Sequence, residues 1–434
     1  MVYVVLKRHF PDFNRMLEQI PDHRKRSTFQ VAEILMAGLA MFVFKRGSRN
    51  NADMGIRGSF EKNYRTLFGM RLPVMDTVDS FLRDLESKEL EELKQCLVSG
   101  LIRKRVLDSS RYRGRFTIAF DGTGLYSYDY EPFSGCPSKT SKNGKTTWQV
   151  YVLEAKLVCR TGFSISLATE WLRNSEDVSD KQDCELKAFH RLADRLKELY
   201  PRLPIILLAD ALYSNKGVFE KCRRNSWNYI ITFKEGALPS LWEEIDSLRH
   251  LAGNTQHMQS RVNGYHNSKG WLTETSMYVN EICYMEKYTM NWIEYTCQYS
   301  SSTAQTERFA HLSDLKIDNA SAWEVSSHGR LRWKIENEGF NTQKRHGYGM
   351  EHKYSRKNLT AMRNYYELMQ IAHLINQLTE KLQKVRDAIK SARTTIKAVV
   401  EEMISSMQKE QISIDDMKAT TRSEERRVGK ECRS

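Results

Sequence analysis

The chain contains no apolar run of about 18 residues, so no membrane-spanning helix is expected and no membrane partner. Its most apolar stretch, Val31–Phe44, is interrupted by Glu33 and reads as a buried helix. The opening residues, MVYVVLKRHF, lack the long apolar region and small-residue cleavage site of a secretory signal. None of the 8 cysteines forms a CxxC pair, which fits reduced thiols and a cytoplasmic setting. The 11 histidines form no HExxH and pair with no cysteine, which argues against a zinc enzyme. Internal repeats and low-complexity linkers are also missing.

What is present narrows the class further. Hydrophobic residues make up 40% of the 434 positions and aromatic residues 10%, enough to bury a sizeable core and exclude wholesale disorder. At roughly 150 residues per domain the length suits two or three domains. The 67 Lys and Arg outnumber the 54 Asp and Glu, for a net charge of +13. That excess favours an anionic partner, nucleic acid foremost. The last segment, Arg422–Ser434 (RSEERRVGKECRS), resembles a translated reading frame of a common sequencing adapter and is set aside, with the expectation that the natural C-terminus is missing. It carries five Lys/Arg and three Glu, so the charge of the remaining 421 residues is +11.

The hydrophobic pattern divides the chain. Residues 1–114 carry helical spacing, with Ser27 as a cap for a helix through Val31, Ile34, Leu35, Leu39 and Phe42. Residues 115–235 form an α/β segment. It has strands at Phe116–Phe120, Trp148–Val158, Phe163–Thr169, Pro204–Ala209 and Tyr229–Phe233, and helices at Cys184–Tyr200 and Gly217–Asn225. Residues 236–318 are strand-rich, with strands at Trp271–Val279 and Trp292–Tyr299. Residues 319–355 hold a helix over about Ala320–Gln343. A long helix is expected from about Arg356 within 356–421. Its seam of Leu368, Ile371, Ile375, Leu378, Leu382, Val385 and Ile389 packs within the chain or between subunits.

An acidic residue directly after a buried strand is held on a rigid backbone at a crevice. Asp121 and Asp210 both read this way, and neighbouring strands would bring them within reach of one cation. Asp121, followed by Gly-Thr-Gly, reads equally well as a turn residue. Arg332 and Glu336, spaced i, i+4, share one side of their helix beside the apolar stripe of Leu331 and Ile335. Alone they read as a surface ion pair, contributing a few tenths of a kcal/mol.

Together, the strings IAFDGTG, ILLADALYS and RWKIENEGFNTQKRHGYGMEH resemble the DDE transposases of bacterial insertion sequences, most of all the insertion-sequence-four type. The resemblance covers roughly residues 20–380. It implies an RNase H-like mixed sheet with flanking helices, a β-rich insertion between Asp210 and Glu336, and Asp121, Asp210 and Glu336 as the catalytic, metal-binding triad. It further implies two Mg²⁺ ions, with Mn²⁺ able to substitute, a homodimer at paired DNA ends, and a nucleoid-associated protein acting on terminal inverted repeats and target DNA. That type usually carries Tyr-x2-Arg-x3-Glu-x6-Lys. Here Arg332 and Glu336 match, while the Tyr position is Gly329 and the Lys position is Gln343. Lys344 substitutes only where the helix ends or distorts. Hard divalent ions favour carboxylate ligands, and a pair about 3.5–4 Å apart suits in-line displacement at phosphorus.

The candidate DNA contacts are Arg332, Lys344, the Arg24, Lys25 and Arg26 cluster, Lys142 in a polar loop, and Trp292 as a base-stacking ring. The basic clusters read equally as solvated faces, and Trp292 as packing within the insertion. The leading expectation is a DNA transposase that cuts element ends and transfers 3′-hydroxyls to target DNA. The alternatives are a stand-alone nuclease of the same fold and a catalytically silent DNA-binding inhibitor of transposition.

Overall fold

A computed structural model describes residues 1–174, 183–251, 257–266, 270–301, 306–391, 393–415 and 417–419. The adapter-like segment 422–434 lies outside them. The chain forms two compact units, both discontinuous in sequence: unit 1 is Met1–Leu107, Gly124–Val150 and Phe340–Ser434, and unit 2 is Asp108–Thr123 and Tyr151–Gly339.

Among the described residues there are eleven strands: β1 Arg111–Tyr112, β2 Arg115–Tyr128, β3 Ser138–Thr140, β4 Thr146–Val158, β5 Ser164–Trp171, β6 Ile205–Ala209, β7 Asn228–Thr232, β8 Met258–His266, β9 Gly270–Tyr284, β10 Tyr288–Tyr299 and β11 Glu307–Ser313. In unit 2 the order is β4-β2-β6-β7-β11-β10-β9-β8, with β5 on β4 and β1 on β2. In unit 1, β3 pairs with the first residues of β4. This mixed sheet with helices accords with the RNase H-like expectation.

The sequence explains the two kinds of strand in unit 2. All five residues of β6, IILLA, are buried. A continuous apolar run is what a parallel strand covered on both faces requires, and β6 pairs in parallel with both β2 and β7. From β11 to β8 the pairing is antiparallel. The β-rich segment is thus no separate body, because β11 pairs with β7 and extends the sheet itself. Along β10, Ile293, Tyr295 and Cys297 are buried, Glu294, Thr296 and Tyr299 are half-buried and Gln298 is exposed. A register shift between Met290 and Trp292 lets Trp292 be buried as well.

Unit 1 is helical around Val31–Val43, whose thirteen residues are all buried. A helix apolar on every side belongs at a core centre. Its start differs from the Ser27 expectation. Gln30 is the cap, and the Glu33 carboxylate accepts from the Gln30 N–H at 2.9 Å while pairing with Arg71 at 2.7 Å. The Arg71 hydrogen bond holds the Glu33 carboxyl below its ordinary pKa. The expected long C-terminal helix is instead three: Leu359–Glu380, Gln383–Ser391 and Ile396–Lys409. The first packs on Val31–Val43 and on the Met75–Asp84 and Ser87–Arg103 helices, so its apolar seam is used within the chain. Some of its buried polar groups bond to neighbouring backbone. Asn364 donates to the carbonyls of Leu82 and Leu85 at 2.8 and 2.7 Å, satisfying acceptors at the end of the Met75–Asp84 helix. No helix among the described residues is long and apolar enough to cross a membrane.

Lys94 and Glu367 form an ion pair at 2.8 Å with side chains only 1% and 7% exposed. Removing one partner strands the other charge in the core, so Lys94→Met will destabilise the protein by about 3–5 kcal/mol. Thermal unfolding followed by circular dichroism should show this loss, and Lys94→Met/Glu367→Leu should recover most of it.

Candidate active site

The site in unit 2 begins with strand register. In the parallel ladder Phe116 faces Ile205 and Ala119 faces Leu208. Continued by two residues, the same register sets Asp121 beside Asp210. The structure corrects the turn and strand-end readings of Asp121: β2 runs straight on through Asp-Gly-Thr-Gly to Tyr128, and it is the partner β6 that stops at Ala209. Asp210 begins a 3₁₀ turn, Ala211–Tyr213, and its carboxylate accepts from the Leu212 N–H at 2.9 Å.

A third carboxylate escaped the sequence reading. Glu185 is the first residue of the Glu185–Leu199 helix, where an acidic residue reads simply as a favourable partner for the helix dipole. Here it accepts from the buried Tyr213 hydroxyl at 2.7 Å. Gly122 explains the tightness of this corner. A Cβ there would lie 2.6 Å from Cε1 of Tyr151 and 3.1 Å from Oε2 of Glu185, so only glycine lets β2 pass.

Electrostatics ties these groups together. Burial pushes the Asp121 carboxyl up to about 6; Arg332 works against that rise, while the Glu185 and Asp210 charges add to it. Glu185 is raised by burial, opposed by its Tyr213 hydrogen bond. The Tyr151 phenol is pushed up to about 12 by burial and then by Glu185, Asp121, Glu336 and Asp210. Tyr151 thus feels all four carboxylates, including Glu336. Arg332 supplies the balancing cation, its Nη1 2.9 Å from Oδ2 of Asp121. Among the described residues, no three His, Cys, Asp or Glu side chains are gathered closely enough to hold a metal ion.

The segment carrying Arg332 and Glu336 is not the uniform α-helix expected. An α-helix at Ala322–Gly329 passes into a 3₁₀ turn at Arg330–Arg332 and a π-helix at Ile335–Asn341, then an α-turn at Thr342–Arg345. Two departures from the insertion-sequence-four signature expected from the sequence have packing causes. A Cβ on Gly329 would lie 2.6 Å from the His311 ring and 2.9 Å from Cγ2 of Ile230, so no tyrosine fits there. His311 is fully buried, and burial brings its pKa down to about 4. Gln343 is fully buried in unit 1, with its Nε2 2.8 Å from Oε1 of Gln370 and 2.9 Å from Nδ1 of His373. Lys344 is partly exposed and paired with Glu351 at 3.4 Å.

The remaining candidate DNA contacts divide clearly. Lys25, Arg26 and Lys142 are exposed. Arg24 is held by Asp22 at 2.8 Å and by the Phe29 carbonyl at 2.8 Å, with the Phe81 ring 5.1 Å away. Trp292 is corrected: it is fully buried, 6.3 Å from the Trp242 ring, and has no face to offer a base. The exposed aromatic is Trp333, 52% exposed, with the Arg332 guanidinium 4.7 Å from its ring. The sequence hint for it was its place next to Arg332.

The transposase DDE domain family matches residues 117–374, more than half of the chain. No curated protein matches it. The chain belongs to this transposase family, and its role is in DNA transposition and recombination.

The opposing influences on Asp121 predict shifts of opposite sign. Removing a like charge favours ionisation, so Glu185→Gln will bring the Asp121 pKa below about 6. Removing the guanidinium disfavours it, so Arg332→Gln will raise it further. Carboxyl-carbon NMR titration of the metal-free protein measures both.

Proposed function

We propose that this member of the transposase DDE family cuts DNA at the ends of a mobile element and joins the exposed 3′-hydroxyl to target DNA. The observation that carries the reading is the β2–β6 register, which sets Asp121 beside Asp210 inside the family-matched segment. Asp121, Asp210 and Glu336 are the proposed catalytic carboxylates, with Glu185 as their neighbour.

The donor set suits a hard divalent cation. Every candidate ligand is a carboxylate; burial, and after it the charge of neighbouring carboxylates, raises Asp121 and Glu185, and a divalent cation offsets both effects. Asp121, Asp210 and Glu336, which are not gathered around one point in the metal-free chain, would have to draw together to hold two Mg²⁺, or Mn²⁺ in their place. When bound, these ions stabilise charge on the attacking and leaving oxygens of an in-line displacement. The chain's other groups position and shield. Arg332 orients Asp121 and gives the phosphate a guanidinium once the ion pair opens. Tyr213 fixes the Glu185 carboxylate from a buried position. Trp333 offers a ring for an unpaired base beside the cut. No covalent protein nucleophile is needed, because water and then the 3′-hydroxyl attack phosphorus in turn. A homodimer pairing two ends, with Lys25, Arg26 and Lys142 on DNA phosphates, completes the proposal.

The Arg332–Asp121 pair gives the silent DNA binder its one specific support, since Asp121 is already balanced. Incubating the full chain and Mg²⁺ with duplexes carrying the sequences that flank its reading frame separates the readings. Joined products are expected; cuts alone indicate a nuclease, and a bound, uncut complex indicates the silent binder. Asp121→Asn, Asp210→Asn and Glu336→Gln should each lower joining by more than about 100-fold, and Arg332→Ala by about 10–100-fold, the range of residues that orient ligands. Unchanged joining in any of the three carboxamide variants would remove that residue from the triad.

A further inference from the structure

Unit 1 holds an open cavity of about 800 Å³ whose wall carries Arg49, Arg83, His352, Lys353, Arg356 and Lys357 and no aspartate or glutamate. None of these residues belongs to the carboxylate site. Their positive charge is only partly balanced. Arg49 and Arg83 share a single carboxylate, Asp79, at 2.9 and 2.6 Å, and Asp79 is itself buried behind the wall. The Tyr365 hydroxyl also bonds Asp79 at 3.2 Å, so this carboxylate anchors the two guanidiniums at the wall without cancelling both. Lys353 donates to the Ser127 carbonyl at 2.7 Å and lies 4.1 Å from the Tyr128 ring, contacts that fix its position and leave its charge unpaired. Arg356 and Lys357 are exposed and have no carboxylate at ion-pair distance among the described residues.

Two further features point to an anion. Asn358, also on the wall, caps the 22-residue helix Leu359–Glu380, its side chain accepting from the Ala361 N–H at 2.8 Å. That helix therefore turns its positive end toward the cavity. Arg49 and Arg356, from two distant stretches of chain, meet on this wall beside His352, whose pKa is lowered by burial and then by both of them.

From this convergence of cations on a concave wall, the structure assigns the cavity as a binding surface for the phosphodiester backbone of duplex DNA. The inference rests on the DNA-handling function proposed above and adds a phosphate-binding surface in unit 1. The breadth of the cavity favours a polymer backbone over a single small anion. The contacts are to phosphates, so the surface grips and aligns DNA without reading its sequence.

The test uses the full chain and a fluorescein-labelled duplex of arbitrary sequence, with binding followed by anisotropy between 50 and 200 mM salt. Each phosphate contact contributes about 0.9 to the slope of log affinity against log salt. Arg356→Ala/Lys357→Ala should make that slope shallower by roughly 1.8 and weaken binding, whereas Lys62→Ala/Arg65→Ala, two exposed cations on the Ser59–Phe68 helix, should change it less. An unchanged slope in the first variant, with wild-type binding intact, overturns the cavity assignment and leaves the DNA reading standing. No duplex binding by wild-type protein overturns the DNA reading itself. Inorganic phosphate that binds the wild type and not the first variant, with equal duplex binding in both, overturns the assignment in favour of a small-anion pocket.

Discussion

The arrangement of the carboxylate site depends on the parallel pairing of β2 with β6. One offset, repeated from Phe116 to Ala119, decides which residue stands beside Asp210. A slip of a single position would bring Gly122 or Phe120 there and turn every β2 side chain to the opposite face. The offset is held by burial, since Phe116, Ile118, Ala119, Phe120 and all of β6 are shielded from water. The apolar runs that make these strands readable are therefore also what aims the aspartates. Arg332, Tyr213 and Gly122 then act on a geometry that the ladder has already set.

Arg332 offsets only part of the negative charge within the site. Asp121, Asp210 and Glu185 repel one another in a partly buried corner, and a guanidinium from the segment after the β-rich insertion meets Asp121. Arg332 thus has two compatible roles in the proposed mechanism: it steadies the carboxylate without substrate and is the nearest cation when a phosphate approaches. The buried, neutral His311 behind it adds no charge to the balance.

Much of this was legible in the sequence, for identifiable reasons. FTIAF and PIILLA could only be buried strands, and the acidic residue ending each run drew attention to Asp121 and Asp210. The helical unit was equally plain from Val31–Val43. Features made by partners distant in sequence were hidden. Glu185 looked like an ordinary first-turn acid until Tyr213 and Asp210 were placed around it. Trp292 looked half-exposed by strict alternation, and a register shift buried it. The seam from Leu368 to Ile389 is regular on paper, yet the chain breaks after Glu380 and satisfies the first part against four other helices.

The π-helix at Ile335–Asn341 sets the phase of the turn that follows it. A π-turn absorbs one residue more than an α-turn, which delays everything after it by about 100° of helical phase. Gln343 then rotates into the core, and Lys344 inherits the phase that Gln343 would occupy on an unbroken α-helix. The consequence is that this turn offers solvent a cation and not an amide: Lys344 stays partly exposed 3.4 Å from Glu351, while the Gln343 amide is spent inside the core.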